Sequence, residues 1–421
     1  MGAIDLQFPL GVNYWPAGKA MYWWRDFEAA QVGEDFCRLA EAGFQVARIF
    51  LTWEDFQPAP GTVSGSCLHR LAAVADLAAG RGMMIQPTFF CGHMSGVNWM
   101  PEWALGGSAK KGRFPVMSGG RLSRRLIRNF YSDHEMINAQ KLQCREVAGA
   151  LRGHPALWAY DLGNESSNCV IPRDRQAARD WLAAMVGELK GVSDLPVTIG
   201  LHAEDLEEDR KLGPAEAALF CDFLCMHGYP FYLDWADHPL DAHALPFLGL
   251  LTRWLGGKRV LFQEFGVSDQ VLRQEYPGEA EEAGAAYYRR ALHLLKEAGM
   301  WGAFAWCYSD YEEHLLEKPP LKENPHERYF GLFKADGSPK KAAGVFQTFA
   351  KKIRDAAVGD KHSRSAGALS AMRRELPPAY AADGAGGSEG LSWLQGEDPE
   401  RFYENPLFHL KRLYRSYKGR R

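Results

Sequence analysis

The chain lacks a dominant charge. Its 49 Lys and Arg stand against 52 Asp and Glu, a formal net charge of −3, so there is no basic field for a phosphate backbone and a nucleic-acid partner is not expected. CxxC pairs are also missing. Cys37, Cys67, Cys91, Cys144, Cys169, Cys221, Cys225 and Cys307 are scattered singly, which argues against a disulfide framework and against a zinc site. No uninterrupted apolar run approaches the roughly 18–20 residues of a membrane span, so no membrane partner is expected. The opening MGAIDLQFPLGVNYW has no basic segment leading into an apolar one, and the expected location is therefore the reducing cytoplasm. Internal repeats and low-complexity tracts are absent as well. What the chain has in excess is aromatic: 13 Trp, 16 Tyr and 23 Phe in 421 residues, a composition foreign to disorder or coiled coil. The length holds one enzyme domain of about 250–300 residues with additions, or two to three smaller domains.

Short apolar or β-branched runs alternate with amphipathic stretches. The runs are 8–14, 45–51, 83–89, 157–163, 196–200, 222–228, 259–265 and 302–307, eight candidate strands, the number a (β/α)8 TIM barrel needs. Helical stripes lie between them, as in Phe36, Leu39, Ala40 and Gly43 or in Trp181, Leu182, Met185, Val186 and Leu189, so parallel strands joined by helices are the expected α/β architecture. An enlarged loop, Gly92 to Arg128, follows the third run and belongs on the C-terminal face, where barrel active sites are built. Beyond about residue 350 the alternation stops. We divide the chain into a catalytic barrel, 1–350, and a C-terminal extension, 351–421, which is expected to pack on the barrel or on a neighbouring copy through Phe402, Tyr403, Leu407, Phe408 and Leu413. A homo-oligomer is open on that basis. The seven basic residues from Arg401 onward read as a solvated helix face.

Two glutamates carry the chemical argument. Glu165 follows the fourth run in LWAYDLGNESSN, and Glu264 closes the seventh in RVLFQEFG. A carboxylate at the end of a buried strand is costly unless it opens into a polar cavity, so each alone is equally readable as half of a structural ion pair. Together, on the fourth and seventh of eight strands, they face one another across a barrel mouth. Such a pair fits retaining glycoside hydrolysis, in which carboxyl groups about 5–5.5 Å apart act as acid/base and nucleophile. Glu165 is expected to be kept protonated by its apolar strand end and by the second carboxylate. Asn164 is placed to donate its amide to a sugar 2-hydroxyl, and His227 and Tyr229 in MHGYP to orient Glu264. Arg48, a cation inside VARIF, is expected to lower the pKa of Glu264, with a salt-bridged core arginine as the plainer reading. Trp306 in AFAWCYSD offers a flat face for a pyranose ring.

LGNE on the fourth strand, QEFG on the seventh, an Arg on the second, HxY on the sixth and Trp on the eighth resemble the (β/α)8 retaining glycosidase clan, and glycoside hydrolase family 5 in particular, over roughly residues 8–350. The resemblance implies Glu165 as acid/base and Glu264 as nucleophile, and it makes His93 in TFFCGHMSG the counterpart of the family's third-strand His. GVNYWP with MYWW, RIFLTWEDFQP and GHMSGVNWMPEW are similar to subfamily 18, a cytoplasmic group of exo-acting β-mannosidases. The implied activity is hydrolysis of terminal β-mannosyl residues of short oligosaccharides, without a cofactor. Trp15, Trp53, Trp99 and Trp103 are candidates to line the cleft, each equally readable as packing. An endo-β-1,4-mannanase or glucanase keeps both glutamates but needs an open cleft; a non-catalytic carbohydrate-binding barrel keeps the aromatics and loses a glutamate. No metal is expected, since His227, His238 and His243 form no HExxH or tight His-x-His pair. Gly106-Gly107 and Gly119-Gly120 lack a dinucleotide fingerprint, and Ser166 and Ser167 lack a GxSxG elbow.

Overall fold

The computed structural model describes residues 6–108, 112–367 and 388–420. Each of the eight apolar runs contains one strand: β1 Leu10–Tyr14, β2 Val46–Phe50, β3 Met84–Thr88, β4 Tyr160–Asn164, β5 Val197–Gly200, β6 Leu224–His227, β7 Val260–Phe265 and β8 Gly302–Ala305. All are parallel to their neighbours, in the order β6-β7-β8-β1-β2-β3-β4-β5. The ends of that order meet. Asp222 N donates to Val197 O and His227 N to Leu201 O, both at 2.8 Å, and Thr198 Oγ1 donates to Phe223 O at 2.9 Å, so β5 and β6 close the ring.

The helices complete the alternation: α1 Ala29–Glu41, α2 Gly65–Ala79, α3 His134–Ala150, α4 Arg175–Lys190, α5 Pro214–Phe220, α6 Ala244–Gly256, α7 Ala280–Glu297 and α8 Lys341–Gly367. Side-chain caps start several of them, with Ser64, Asp133 and Asp174 accepting from backbone N–H groups of the first turn. The predicted stripes of α1 and α4 are buried at Phe36, Leu39, Trp181, Leu182, Met185 and Leu189.

Inside the ring the side chains form layers. Val46, Met84, Trp158, Phe223, Leu261 and Phe304 make an apolar floor. Above it lie buried polar groups, Asn13, Arg48, Gln86, Asp161 and Gln263, and the strand ends above these open to a cavity. Two long connections cover that face. The one after β3 is not an irregular loop but folds on itself through short strands: Gly92–Met94 pairs antiparallel with Val97–Trp99, and Val116–Ser118 antiparallel with Arg121–Ser123. Gly119 and Gly120, φ 56° and 74°, form the two-residue turn of that second hairpin, where positive φ at both positions is required. The connection from β8 to α8 carries a short 3-10 turn, Pro325–Tyr329.

The extension packs on its own barrel. α8 runs through residue 350, and most of the Gly, Ala, Ser and Pro-rich stretch 359–392 lies outside the described residues. The last helix, α9 Pro406–Gly419, buries Leu410, Leu413, Tyr414 and Tyr417, a stripe at helical spacing. The Tyr414 ring meets Trp235 at 4.8 Å and Phe247 of α6 at 4.9 Å, and its hydroxyl donates to Asp241 Oδ2 at 2.5 Å. Of the residues expected to anchor the tail, Phe402 and Leu413 are buried and Tyr403 donates to Asp205 O at 3.0 Å. Leu407 and Phe408 are 40% and 58% exposed instead; Phe408 falls on the side of α9 opposite the buried stripe. Leu413→Ala is expected to cost about 2–5 kcal/mol of stability. Urea unfolding checks this, and a loss well under 1 kcal/mol would contradict the packing of α9.

Candidate active site

Arg48 is completely buried, and each of its five N–H groups has an acceptor. Nε donates to Thr88 Oγ1 at 3.0 Å and Asp161 Oδ2 at 2.9 Å, and Nη2 to Asp161 Oδ2 at 2.7 Å and Asn164 Oδ1 at 2.8 Å. Nη1 donates to Asn13 Oδ1 at 3.1 Å and to Glu264 Oε1. The other oxygen of Glu264, Oε2, accepts from the Tyr229 hydroxyl at 2.8 Å. Both nucleophile-candidate oxygens are thus held by donors, the arrangement that selects a carboxylate and fixes its plane. Burial nevertheless pushes the Glu264 carboxyl above its ordinary value; His227, Arg48 and Tyr229 pull against that, while the charge on Glu165 adds to it. Arg48 acts in the expected direction, but burial outweighs it.

Glu165 leaves β4 in the left-handed region, φ 48°, uncommon for a residue with a Cβ. Its N–H donates to Gly200 O at 3.1 Å and its carbonyl accepts from Asn168 N at 2.9 Å, and these bonds hold the turn. The carboxylate meets His227 Nδ1 at 3.0 Å and Asn168 Nδ2 at 3.4 Å. Burial works to raise its pKa, but His202, His227 and His93 together outweigh burial and hold it at about 2. The expectation of a protonated Glu165 is therefore reversed, because three imidazoles face it. His202 is the decisive addition. It stands just past β5, its Nδ1 on Asp205 Oδ2 at 2.9 Å, and although burial opposes it, Asp205 and Glu165 drive its pKa well above the ordinary value. His227 was expected to orient Glu264, yet its Nδ1 is 3.0 Å from Glu165 Oε1 and 3.7 Å from Glu264 Oε2; it serves Glu165 first.

These groups line a cavity of about 730 Å3, within the range of small-ligand sites. Asn164, Glu165, His227, Tyr229, Glu264, Trp306 and His93 all reach it. Asn164 has one amide hydrogen committed to His93 O at 2.5 Å, which leaves the second for a ligand. His93 Nδ1 pairs with Asn98 Oδ1 at 2.8 Å, and its ring lies 4.2 Å from Phe114. The four candidate tryptophans of the cleft do not line the cavity. Trp15 stacks on Phe50 at 4.8 Å, Trp53 lies against Phe90 and Trp103, Trp99 donates to Met94 O and Trp103 to Gln57 O. They fill the space between the barrel rim and the segment after β3, which apolar flat side chains do at lower cost than exposure.

The cavity also contains groups that sequence reasoning passed over. Arg113 and Phe114 come from the segment after β3, Glu204 and Glu207 from that after β5, and Glu327 and Phe330 from that after β8. Arg113 pairs with Glu204 across the opening. His202 carried a signal, since it is the polar residue ending the fifth apolar run in PVTIGLH; the loop residues carried none. Glu165, His227 and Glu264 bring three ligand-type atoms within 4.8 Å of one another. Both Glu264 oxygens accept from donors, Arg48 and Tyr229, and His227 meets Glu165. His238 and His243 lie apart from it, at the bend before α6, where they accept from Leu240 N and meet Arg290.

Removing Arg48 tests this electrostatic frame. Arg48→Met leaves buried carboxylates without their cation and is expected to cost about 3–5 kcal/mol. Because a carboxyl whose folded pKa is raised binds a proton more tightly in the folded state, stability falls as pH climbs above the ordinary Glu value of 4.5. Losing Arg48 raises Glu264 further, so the deficit against the wild type should be larger at pH 8 than at pH 5. Urea unfolding at the two pH values reads it, and an equal deficit would contradict the coupling.

No family model and no curated protein matches the chain. Solved structures do. The exo-beta-1,4-mannosidase Op5Man5 from Opitutaceae bacterium strain TAV5 matches with a TM-score of 0.68 and 27% identity over 83% of this chain and 60% of that one. A GH5_18 protein from Streptomyces cattleya in complex with GlcNAc gives 0.70 and 22%, over 84% and 81%, and one from Bifidobacterium longum subsp. longum ATCC 55813 gives 0.69 and 19%, over 83% and 80%. The chain therefore spans less than two thirds of the length of the first of these relatives. In fold it is a (β/α)8 barrel like theirs, and in fold and motifs together it resembles glycoside hydrolase family 5, subfamily 18.

Proposed function

We propose that the protein is a retaining, exo-acting β-mannosidase that removes terminal β-mannosyl residues from short oligosaccharides. The observation that carries the reading is the opposition of Glu165 and Glu264, with carboxylate oxygens within 4.8 Å of one another, in a cavity with Trp306 and the free amide hydrogen of Asn164. That separation lies with the roughly 5–5.5 Å of retaining pairs and below the roughly 6.5–9.5 Å of inverting ones. Glu264 attacks the anomeric carbon while Glu165 protonates the leaving oxygen; Glu165 then takes a proton from water as the glycosyl–enzyme bond breaks. The mannoside assignment rests on similarity: a GH5_18 variant from Streptomyces cattleya, 22% identical, is solved in complex with Manb1-4GlcNAc.

Exo action has its own support. The acid on β4 puts the leaving group toward β4 and β5, so the glycone lies toward β7 and β8. On that side the segments after β3 and β8 are joined: Asn324 Nδ2 donates to Ser95 O at 3.1 Å, and Ser95 Oγ to Glu327 Oε2 at 3.2 Å. This latch closes the rim between the two segments, and the exo reading takes it as the wall of the glycone end. An endo-acting enzyme needs that end open. Eight unpaired cysteines, six of them buried, fit a reducing cytoplasm in which the substrates are short.

Glu264→Ala should lower turnover by more than about 10³-fold, with azide restoring part of it as the inverted glycosyl azide. Undiminished turnover would overturn the nucleophile assignment, and a panel of p-nitrophenyl β-mannoside, glucoside and galactoside decides the sugar. Gly96 sits at φ +76°, and a Cβ there would stand 2.7 Å from Asn324 Nδ2, so Gly96→Ala should break the latch. At the earliest times of a mannotetraose digest the wild type should give mannose and mannotriose in equal amounts and the Gly96→Ala variant mannobiose beside them; mannobiose as the first product of the wild type would refute exo action.

A further inference from the structure

Acid catalysis needs a proton on Glu165, yet the imidazoles around it favour its anion. The directions of the hydrogen bonds beneath it say where that proton is kept. Asp161 Oδ2 accepts from Arg48 and from Thr88 Oγ1 at 2.8 Å, so it is a carboxylate oxygen with nothing to donate. Gln263 lies 3.3 Å from the same oxygen and 3.0 Å from Gln86, and the contact to the Asp161 oxygen, which only accepts, requires its NH2 group on that side. Its carbonyl oxygen must then point the other way, where it meets His227 Nε2 at 3.1 Å. An amide oxygen only accepts. His227 Nε2 therefore carries a hydrogen, and the remaining ring nitrogen, Nδ1, is the one facing Glu165 Oε1 at 3.0 Å.

We infer that Gln263 is a positioning residue which, by pinning the Nε2–H of His227, makes His227 and Glu165 a dyad holding one transferable proton at the Nδ1–Oε1 contact. In one form of the dyad the proton lies on Nδ1 and faces the Glu165 anion. With substrate in place it passes to Glu165 and on to the leaving oxygen, as a Glu264 oxygen bonds to C1 and the C1–O bond breaks. In the second half the attacking water bonds to C1, the Glu264–C1 bond breaks, and the water's proton returns to the dyad. Gln263 matters because of what deprotonation would leave behind. With Nε2–H pinned, a neutral His227 presents the Nδ1 lone pair to a carboxylate 3.0 Å away, which is repulsive, so the dyad keeps its proton to higher pH. Without Gln263 a neutral ring is free to turn its one hydrogen to Nδ1 and donate to Glu165, and the proton is lost earlier.

The other charged and titratable groups facing the dyad are Arg48 from β2, His93 from the segment after β3, Asp161 from β4, His202 and Glu204 from beyond β5, Tyr229 from beyond β6 and Glu264 from β7. Of these groups only Asp161 bonds to the Gln263 side chain, at 3.3 Å; it loses that donor in Gln263→Leu and regains one in Gln263→Glu.

The inference deepens the glycosidase reading, and its test has an arm that does not depend on it. Nitrogen-15 NMR of histidine-labelled protein at neutral to alkaline pH should show His227, assigned by its loss in His227→Asn, with Nε2 protonated in the wild type. In Gln263→Leu the neutral ring should carry its hydrogen on Nδ1 with Nε2 bare. In kinetics the basic limb of kcat/KM should fall by about one pH unit in Gln263→Leu. Gln263→Glu, which can accept from Nε2 while donating its own proton to Asp161, should restore it. A bare Nε2 in the wild type, an unmoved basic limb, or a glutamate variant that behaves like the leucine variant would each overturn the proposal. Should the leucine variant fail to fold, the wild-type tautomer and the glutamate variant still decide it. If no glycoside is hydrolysed, the glycosidase reading fails, and the NMR arm alone judges where the hydrogen sits.

Discussion

A guanidinium sealed inside the barrel organises everything above it. A buried arginine without partners is strongly destabilising, and Arg48 escapes that only because Asn13 of β1, Thr88 of β3, Asp161 and Asn164 of β4 and Glu264 of β7 all present oxygens to it. Five strands must therefore stand in one register for the charge to be tolerated. The same bonds immobilise Glu264 through Oε1, turn Asn164 so that its amide hydrogens face outward, and leave Asp161 as the fixed acceptor from which the orientations of Gln263 and His227 follow. The charge is thus both a constraint on folding and the origin of the site's geometry.

The two glutamates owe their difference to what surrounds each. Glu264 has a cation below and a phenol beside it, and each of its oxygens accepts from one of them. Glu165 has three imidazoles around it and two contacts to its oxygens, at His227 and Asn168. Burial acts upward on both, so desolvation alone does not separate them; the charged neighbours do. This is why an argument from an apolar strand end misjudged Glu165. It took account of burial and of the second carboxylate, but not of a histidine, His202, supplied by the next strand in the ring.

The walls of the cavity come from chain segments with little to say in sequence. The excursion after β3 builds its own hairpins, rests on Trp53, Trp99 and Trp103, and sends His93, Phe114 and Arg113 inward. It is joined to the segment after β8 at Ser95 and to that after β5 at Glu204. On the outer surface α9 covers Phe247 and Trp235 and keeps the aromatic stripe of the tail away from solvent.

The sequence by itself determined the eight-strand alternation, because strands buried on both faces must be apolar throughout, and such runs remain visible without any partner in view. It likewise singled out Arg48, Asn164, Glu165, His227, Tyr229, Glu264 and Trp306, which the fold gathers at and beneath one cavity, because a polar or aromatic group in or closing an apolar run stands out against it. Only the tertiary structure decided which imidazole serves which carboxylate, which tryptophan faces the cavity and which prop a loop, and that Leu407 and Phe408 stay in solvent. Those are matters of distances between segments far apart in the chain, and neither periodicity along a strand nor the chemistry of a single side chain contains them.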